Sequence, residues 1–135
     1  MTTPLYALIG FVFWSVGLVV ALGSARCYQV MAGQKKSNEF PSGTQHGGDA
    51  YWRLNRAHLN CLENLPLFAA VVLVAAVTGA GSETLDMLAR VFVGARVCQS
   101  LVHIASGSVM AVNIRFAFYL IQLFCLCGFA CLLVI

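Results

Sequence analysis

Three sets of side chains in this 135-residue chain have the types and spacing to do chemistry. Arg56, Asn60 and Glu63 fall at i, i+4 and i+7 and so share one helix face; Arg96, Gln99 and His103 share another, and Arg115, Tyr119 and Gln122 a third. Arginine grips carboxylates and phosphates in fork geometry and stays charged, while a lone glutamate among arginines receives an ammonium. With Arg26 added, the set suits a zwitterionic ligand carrying excess negative charge, and a small peptide fits that description. The plainer reading of the same residues is structural: Glu63 and Arg96 lock helices together, His103 is hydrogen-bonded, and the remaining arginines meet lipid headgroups.

The elements that position these residues are apolar spans. The chain is 60% hydrophobic and 10% charged, with mean hydropathy +0.84, where a soluble domain carries about 25% charged residues. An all-α integral membrane four-helix bundle is expected, as one domain with helices over about 5–31, 53–78, 84–105 and 112–135. The first span has no charge before Arg26 and no basic residue ahead of it, so a cleaved signal peptide is the weaker reading despite Gly23-Ser24-Ala25. Pro66 lies inside the second span and removes the donor for the Leu62 carbonyl, which predicts a kink one turn past Glu63. Gly79 to Ser82 and Ser106 to Ser108 are short turns, with Ser82 or Thr84 as a cap for the third helix.

Lys35 and Lys36 lie in the long first loop, between Arg26 and Arg53, whereas the second loop carries acids. The positive-inside rule therefore places loops one and three in the cytoplasm and both termini opposite. At a rise of ~1.5 Å per residue, Glu63 lies roughly 15 Å below Tyr51 and Trp52, and Arg96 roughly 15 Å below Ser106. The two are expected to meet as an ion pair at the floor of a basic funnel lined by Arg56, Asn60, His103 and Arg115. A charge at the centre of a span costs roughly 2.5–3.5 kcal/mol, so Glu63 must face protein or a wet cavity.

The net charge of +3 is dispersed among apolar segments, which argues against a nucleic-acid partner. The six cysteines lie in or beside apolar helices without a CxxC pair and read as small packing residues, so no metal or disulfide is expected.

The run Arg56-Ala57-His58-Leu59-Asn60-Cys61-Leu62-Glu63, followed by Pro66-Leu67-Phe68, resembles the second-helix signature of the MAPEG family, the membrane-associated proteins in eicosanoid and glutathione metabolism. Arg96 and Arg115 resemble that family's other fixed points. The resemblance implies a homotrimer of four-helix bundles with glutathione as co-substrate, bound between protomers near the cytosolic face. It implies glutathione contacts at Arg26, Arg56, Asn60 and Glu63, with Arg115 as the catalytic residue that stabilises the thiolate; Arg96, Gln99, His103 and Tyr119, on the polar faces of the third and fourth helices, complete the expected binding set. Leu59, Gln99 and His103 depart from the eicosanoid branches, and the sequence looks more like bacterial members, which implies an inner-membrane location. The function implied is a glutathione transferase or peroxidase acting on small lipophilic electrophiles delivered by the bilayer. A non-catalytic ligand-binding member is the alternative. A small four-span multidrug exporter is disfavoured because the first span lacks a carboxylate.

Overall fold

The computed structural model covers residues 1–135 and consists of four helices: α1 (Thr3–Met31), α2 (Asp49–Thr78), α3 (Glu83–Ala105) and α4 (Val109–Val134). Each is long and apolar enough to cross a membrane. They run alternately up and down. α3 packs against all three others and α2 also reaches α4, while α1 and α4 do not touch, so α2 and α3 form the centre and the other two flank it.

The helix ends follow local chemistry. α2 starts at Asp49, four residues before the expected position: Gly48 provides an extended N-cap, the Trp52 amide bonds the Gly48 carbonyl at 3.0 Å, and Asp49 complements the helix dipole. Tyr51 and Trp52 are thus in the first turn and not ahead of the helix. Ser82, not Thr84, caps α3 by accepting from the Leu85 amide at 3.2 Å, and Ser108 caps α4 by accepting from Ala111 at 3.2 Å, which brings the start of α4 forward from 112 to 109. α2 ends on Gly79 in the left-handed region (φ 70°), where a side chain would be strained. Pro66 sits inside α2 as expected.

The core is aromatic at mid-height. Phe68 of α2 and Phe92 of α3 stack with ring centroids 4.3 Å apart and planes 6° from parallel, and Phe11 of α1 tilts against both at 6.2 and 6.0 Å. Val72, Ala75, Leu85, Ala89 and Phe129 extend the core toward the α2–α3 turn. Toward the opposite end the interior becomes polar, with Ser15, Asn55, Arg96, Gln99, Ser100, His103 and Gln122 all buried. Arg53 closes that end by donating from Nε to the Ile104 carbonyl at 3.0 Å, tying the start of α2 to the end of α3. Cys61 and Cys125 are buried packing residues, and the other four cysteines are exposed on the outside of the bundle.

Candidate functional site

The polar residues form two connected interior groups and one outward face. In the first interior group, between α2 and α3, the Asn60 amide lies 3.5 Å from His103 Nδ1, and the Asn64 amide donates to the Asn60 main-chain oxygen at 3.2 Å. One turn deeper the Cys61 thiol meets the Ser100 hydroxyl at 3.5 Å, and Ser100 donates to the Arg96 carbonyl at 2.9 Å. The Arg96 side chain is 1% exposed, and its Nε and Nη2 have no hydrogen-bond partner. Buried donors of this kind are rare because each costs about 1–3 kcal/mol, so Arg96 is primed for an acceptor.

The second interior group joins α3 to α4. Gln122 donates from Nε2 to Gln99 Oε1 at 3.0 Å and to the Phe118 carbonyl at 2.9 Å, and Gln99 in turn donates to the Arg115 carbonyl at 2.9 Å. The Gln99 side chain is thereby committed to fixing the main chain at Arg115, leaving the half-buried guanidinium of Arg115 to point elsewhere. Gln122 was not among the expected site residues, although its spacing from Arg115 and Tyr119 had marked it. Tyr119 is 42% exposed and stacks on Phe116 with ring centroids 6.4 Å apart.

Arg56 and Glu63 form the outward face. Both are exposed, and Glu63 makes no hydrogen bond within the chain. The expected Glu63–Arg96 ion pair is therefore absent: the two share a depth, but α2 turns Cys61 inward toward Ser100, and Glu63 points out of the bundle. The single funnel drawn from the sequence divides into an interior half (Asn60, Arg96, Gln99, His103) and an exterior half (Arg56, Glu63), with Arg115 at the boundary.

Arg26 belongs to neither half. Its Nε donates to the Tyr51 hydroxyl at 2.8 Å, and its guanidinium lies 5.5 Å from the centre of the Phe40 ring. The first loop folds over this point and encloses a cavity of about 330 Å³ between α1 and α2, with Arg26, Asn55, His58 and Ser42 as its polar lining and Leu22 and Leu59 on its apolar side. His58 Nδ1 is buried there without a partner, and Asn55 is 8% exposed. His58, Asn55 and Tyr51 were not singled out from the sequence. Their signal was a polar residue every third or fourth position on a second face of α2, which the Arg56 face obscured.

On the loop itself, His46 contacts the Tyr51 ring at 5.2 Å, Trp52 at 6.0 Å and Phe40 at 6.0 Å, and Lys35 Nζ lies 3.3 Å from its Nδ1. Desolvation, then the positive charges of Lys35 and Arg26, hold this imidazole below its ordinary pKa of 6.5. It packs as the neutral base.

A search of curated proteins found no match. Comparison with known families matches residues 4–135 to the MAPEG family, so nearly the whole chain is accounted for by this one match. With its four membrane-spanning helices, this integral membrane protein belongs to the MAPEG family.

Proposed function

We propose that the protein is a glutathione-dependent transferase or peroxidase of lipophilic electrophiles, working as a homotrimer with its site between protomers. The observation that carries this reading is the outward face of α2. Arg56 and Glu63 stand exposed on a membrane helix, and Arg96 waits unpartnered just inside. Leaving Glu63 in hydrocarbon would cost roughly 2.5–3.5 kcal/mol, which favours a neighbouring copy and a charged ligand as its cover.

Glutathione has the matching pattern of two carboxylates, one ammonium and a thiol. Glu63 receives the ammonium, and Arg56 with Asn60 takes the adjacent carboxylate. Arg26, in the cavity shared with Asn55 and His58, takes the other. Arg115 then lies beside the sulfur and favours the thiolate. In conjugation the thiolate forms a C–S bond with an electrophilic carbon supplied from lipid, and the displaced group leaves with the electron pair. Loops one and three face the cytoplasm on this reading, in keeping with Lys35, Lys36 and Arg53 at that end, and a bacterial inner membrane is the setting.

The alternative is a ligand-binding member without catalysis. It is favoured by Gln99, whose amide is spent on the Gln122 side chain and the Arg115 carbonyl and supplies the site with neither an acid nor a base. Calorimetric titration of glutathione into the purified protein tests the shared premise: saturable binding at one site per protomer is expected, and no heat at millimolar glutathione overturns the reading. Turnover with a generic electrophile then separates catalyst from binder, and cross-linking in detergent tests the trimer.

A further inference from the structure

At the end of the bundle formed by the α2–α3 turn, the only charged side chains are Glu83, Asp86 and Arg90, and they gather around one surface cavity of about 520 Å³ together with Thr84 and Met87. Met87 also borders a second cavity, about 470 Å³, whose lining is entirely apolar. It is a groove running down the seam between α3 and α4, with Leu88 and Cys125 as its floor and Met87, Val91 and Phe124 among its walls. A charged mouth thus continues directly into an apolar trough.

The depth fits a lipid. α3 has 23 residues and so spans roughly 35 Å, a little more than the ~30 Å hydrocarbon core, which puts Glu83 and Asp86 at the headgroup level. Arg90 starts about 10 Å further in and must extend back toward that level. Its Nε donates to the Asp86 main-chain oxygen at 3.2 Å, which directs the side chain toward the mouth and leaves the terminal nitrogens available.

We propose that this mouth and groove hold one phospholipid with a primary ammonium headgroup, phosphatidylethanolamine in chemical class, from the leaflet on the α2–α3 side. Arg90 takes the phosphate, Glu83 and Asp86 receive the ammonium, and an acyl chain lies along Val91, Leu120 and Phe124. The two carboxylates outnumber the one cation, so an anionic lipid such as phosphatidylglycerol is repelled. Phosphatidylcholine presents a headgroup with no N–H to donate. The site is separate from the polar end of the bundle that holds Arg56, Asn60 and Arg115.

The test uses the full chain in vesicles of equimolar phosphatidylethanolamine and phosphatidylglycerol with identical acyl chains, followed by extraction and mass spectrometry of the lipid that stays bound. The wild type should hold phosphatidylethanolamine about two- to five-fold above the bulk ratio, the range expected of an accessible ion pair. The double substitution Glu83→Gln with Asp86→Asn should return that ratio to the bulk value, and Val91→Trp, which fills the groove, should reduce total retained lipid. These positions border surface cavities, and the helical circular dichroism of each variant checks that the bundle is intact. Retention in the bulk ratio by the wild type, or an unchanged ratio in the double variant, overturns the headgroup assignment. Unchanged total lipid in Val91→Trp overturns the groove.

Discussion

Cys61 and Glu63 are two residues apart on α2 and lie on opposite sides of it: Cys61 is 0% exposed against Ser100, and Glu63, about 200° round the helix, is open to its surroundings. The carboxylate therefore makes no hydrogen bond within its own bundle, although it lies close enough to Arg96 to attract the guanidinium. Glu63→Gln should leave the monomer fold intact while weakening glutathione binding about 10- to 150-fold, the equivalent of a lost hydrogen bond to a charged group. Calorimetry of the variant measures this. Unchanged affinity would remove Glu63 from the ligand site.

The same relationship explains how far the site was legible. Apolar runs and breakers marked the four helices because each run exceeds the length a span needs, and the caps at Ser82 and Ser108 moved boundaries by only one to three residues. Depth was legible too, since rise per residue is fixed. Azimuth was not: the stripe of Arg56, Asn60 and Glu63 is the most polar on α2, and a polar stripe in a membrane helix is expected to turn inward. In this protein the inward stripe is Asn55, Ala57, Cys61 and Phe68, and the two charged members of the other stripe, Arg56 and Glu63, face out while Asn60 sits at its edge against His103. The first-loop cavity was hidden for a different reason, since it depends on residues 40–43 folding back over Arg26 and His58.

The Gln99–Gln122 bond is the polar clasp of the α3–α4 seam. Interhelical hydrogen bonds within membranes contribute on average about 0.6 kcal/mol and at most about 1.7 kcal/mol. Gln122→Leu removes one such bond and also an acceptor, Oε1, that is buried without a partner, so its cost should fall at the low end of that range. Gln99→Leu breaks the contacts to both Gln122 and the Arg115 carbonyl and leaves Gln122 Nε2 with the Phe118 carbonyl alone, so it should cost more. Thermal unfolding in detergent ranks the pair, and the reverse order would show that the clasp is held from α4.

The His46 cluster makes the first loop sensitive to acid. The folded loop is the weaker base, its imidazole lying below 6.5 through desolvation and the charges of Lys35 and Arg26. The stability it contributes is thus fully present above about pH 6.5 and is lost as pH falls through and below that value toward the folded pKa. Trp52 fluorescence reports it, because the indole lies 6.0 Å from the imidazole; a Trp14→Phe background removes the only other tryptophan. The emission should change on acidification below about pH 6.5, and His46→Gln should flatten the profile. A flat wild-type profile between pH 7 and 5 would show that protonation does not loosen the cluster.

Arg115 carries the sharpest expectation for chemistry. Its main chain is fixed by Gln99, and its guanidinium is half-buried at the boundary between the interior and exterior polar groups, so it is positioned without being neutralised by a carboxylate of the same chain. A free thiol has a pKa of about 8.5 and is mostly protonated at neutral pH, and each unit of depression corresponds to about 1.4 kcal/mol of preference for the anion. One partly desolvated guanidinium is enough for a depression of about one to two units. Arg115→Leu should therefore nearly abolish the ultraviolet absorbance of bound thiolate at pH 7 and slow conjugation about 8- to 25-fold, the loss of thiolate when a pKa of about 6.5–7.5 returns to about 8.5. Glutathione affinity, held by Arg56, Asn60 and Glu63, should fall much less. If the wild type itself shows no thiolate absorbance when saturated with glutathione, Arg115 does not ionise the thiol and the ligand-binding alternative takes the place of the enzyme.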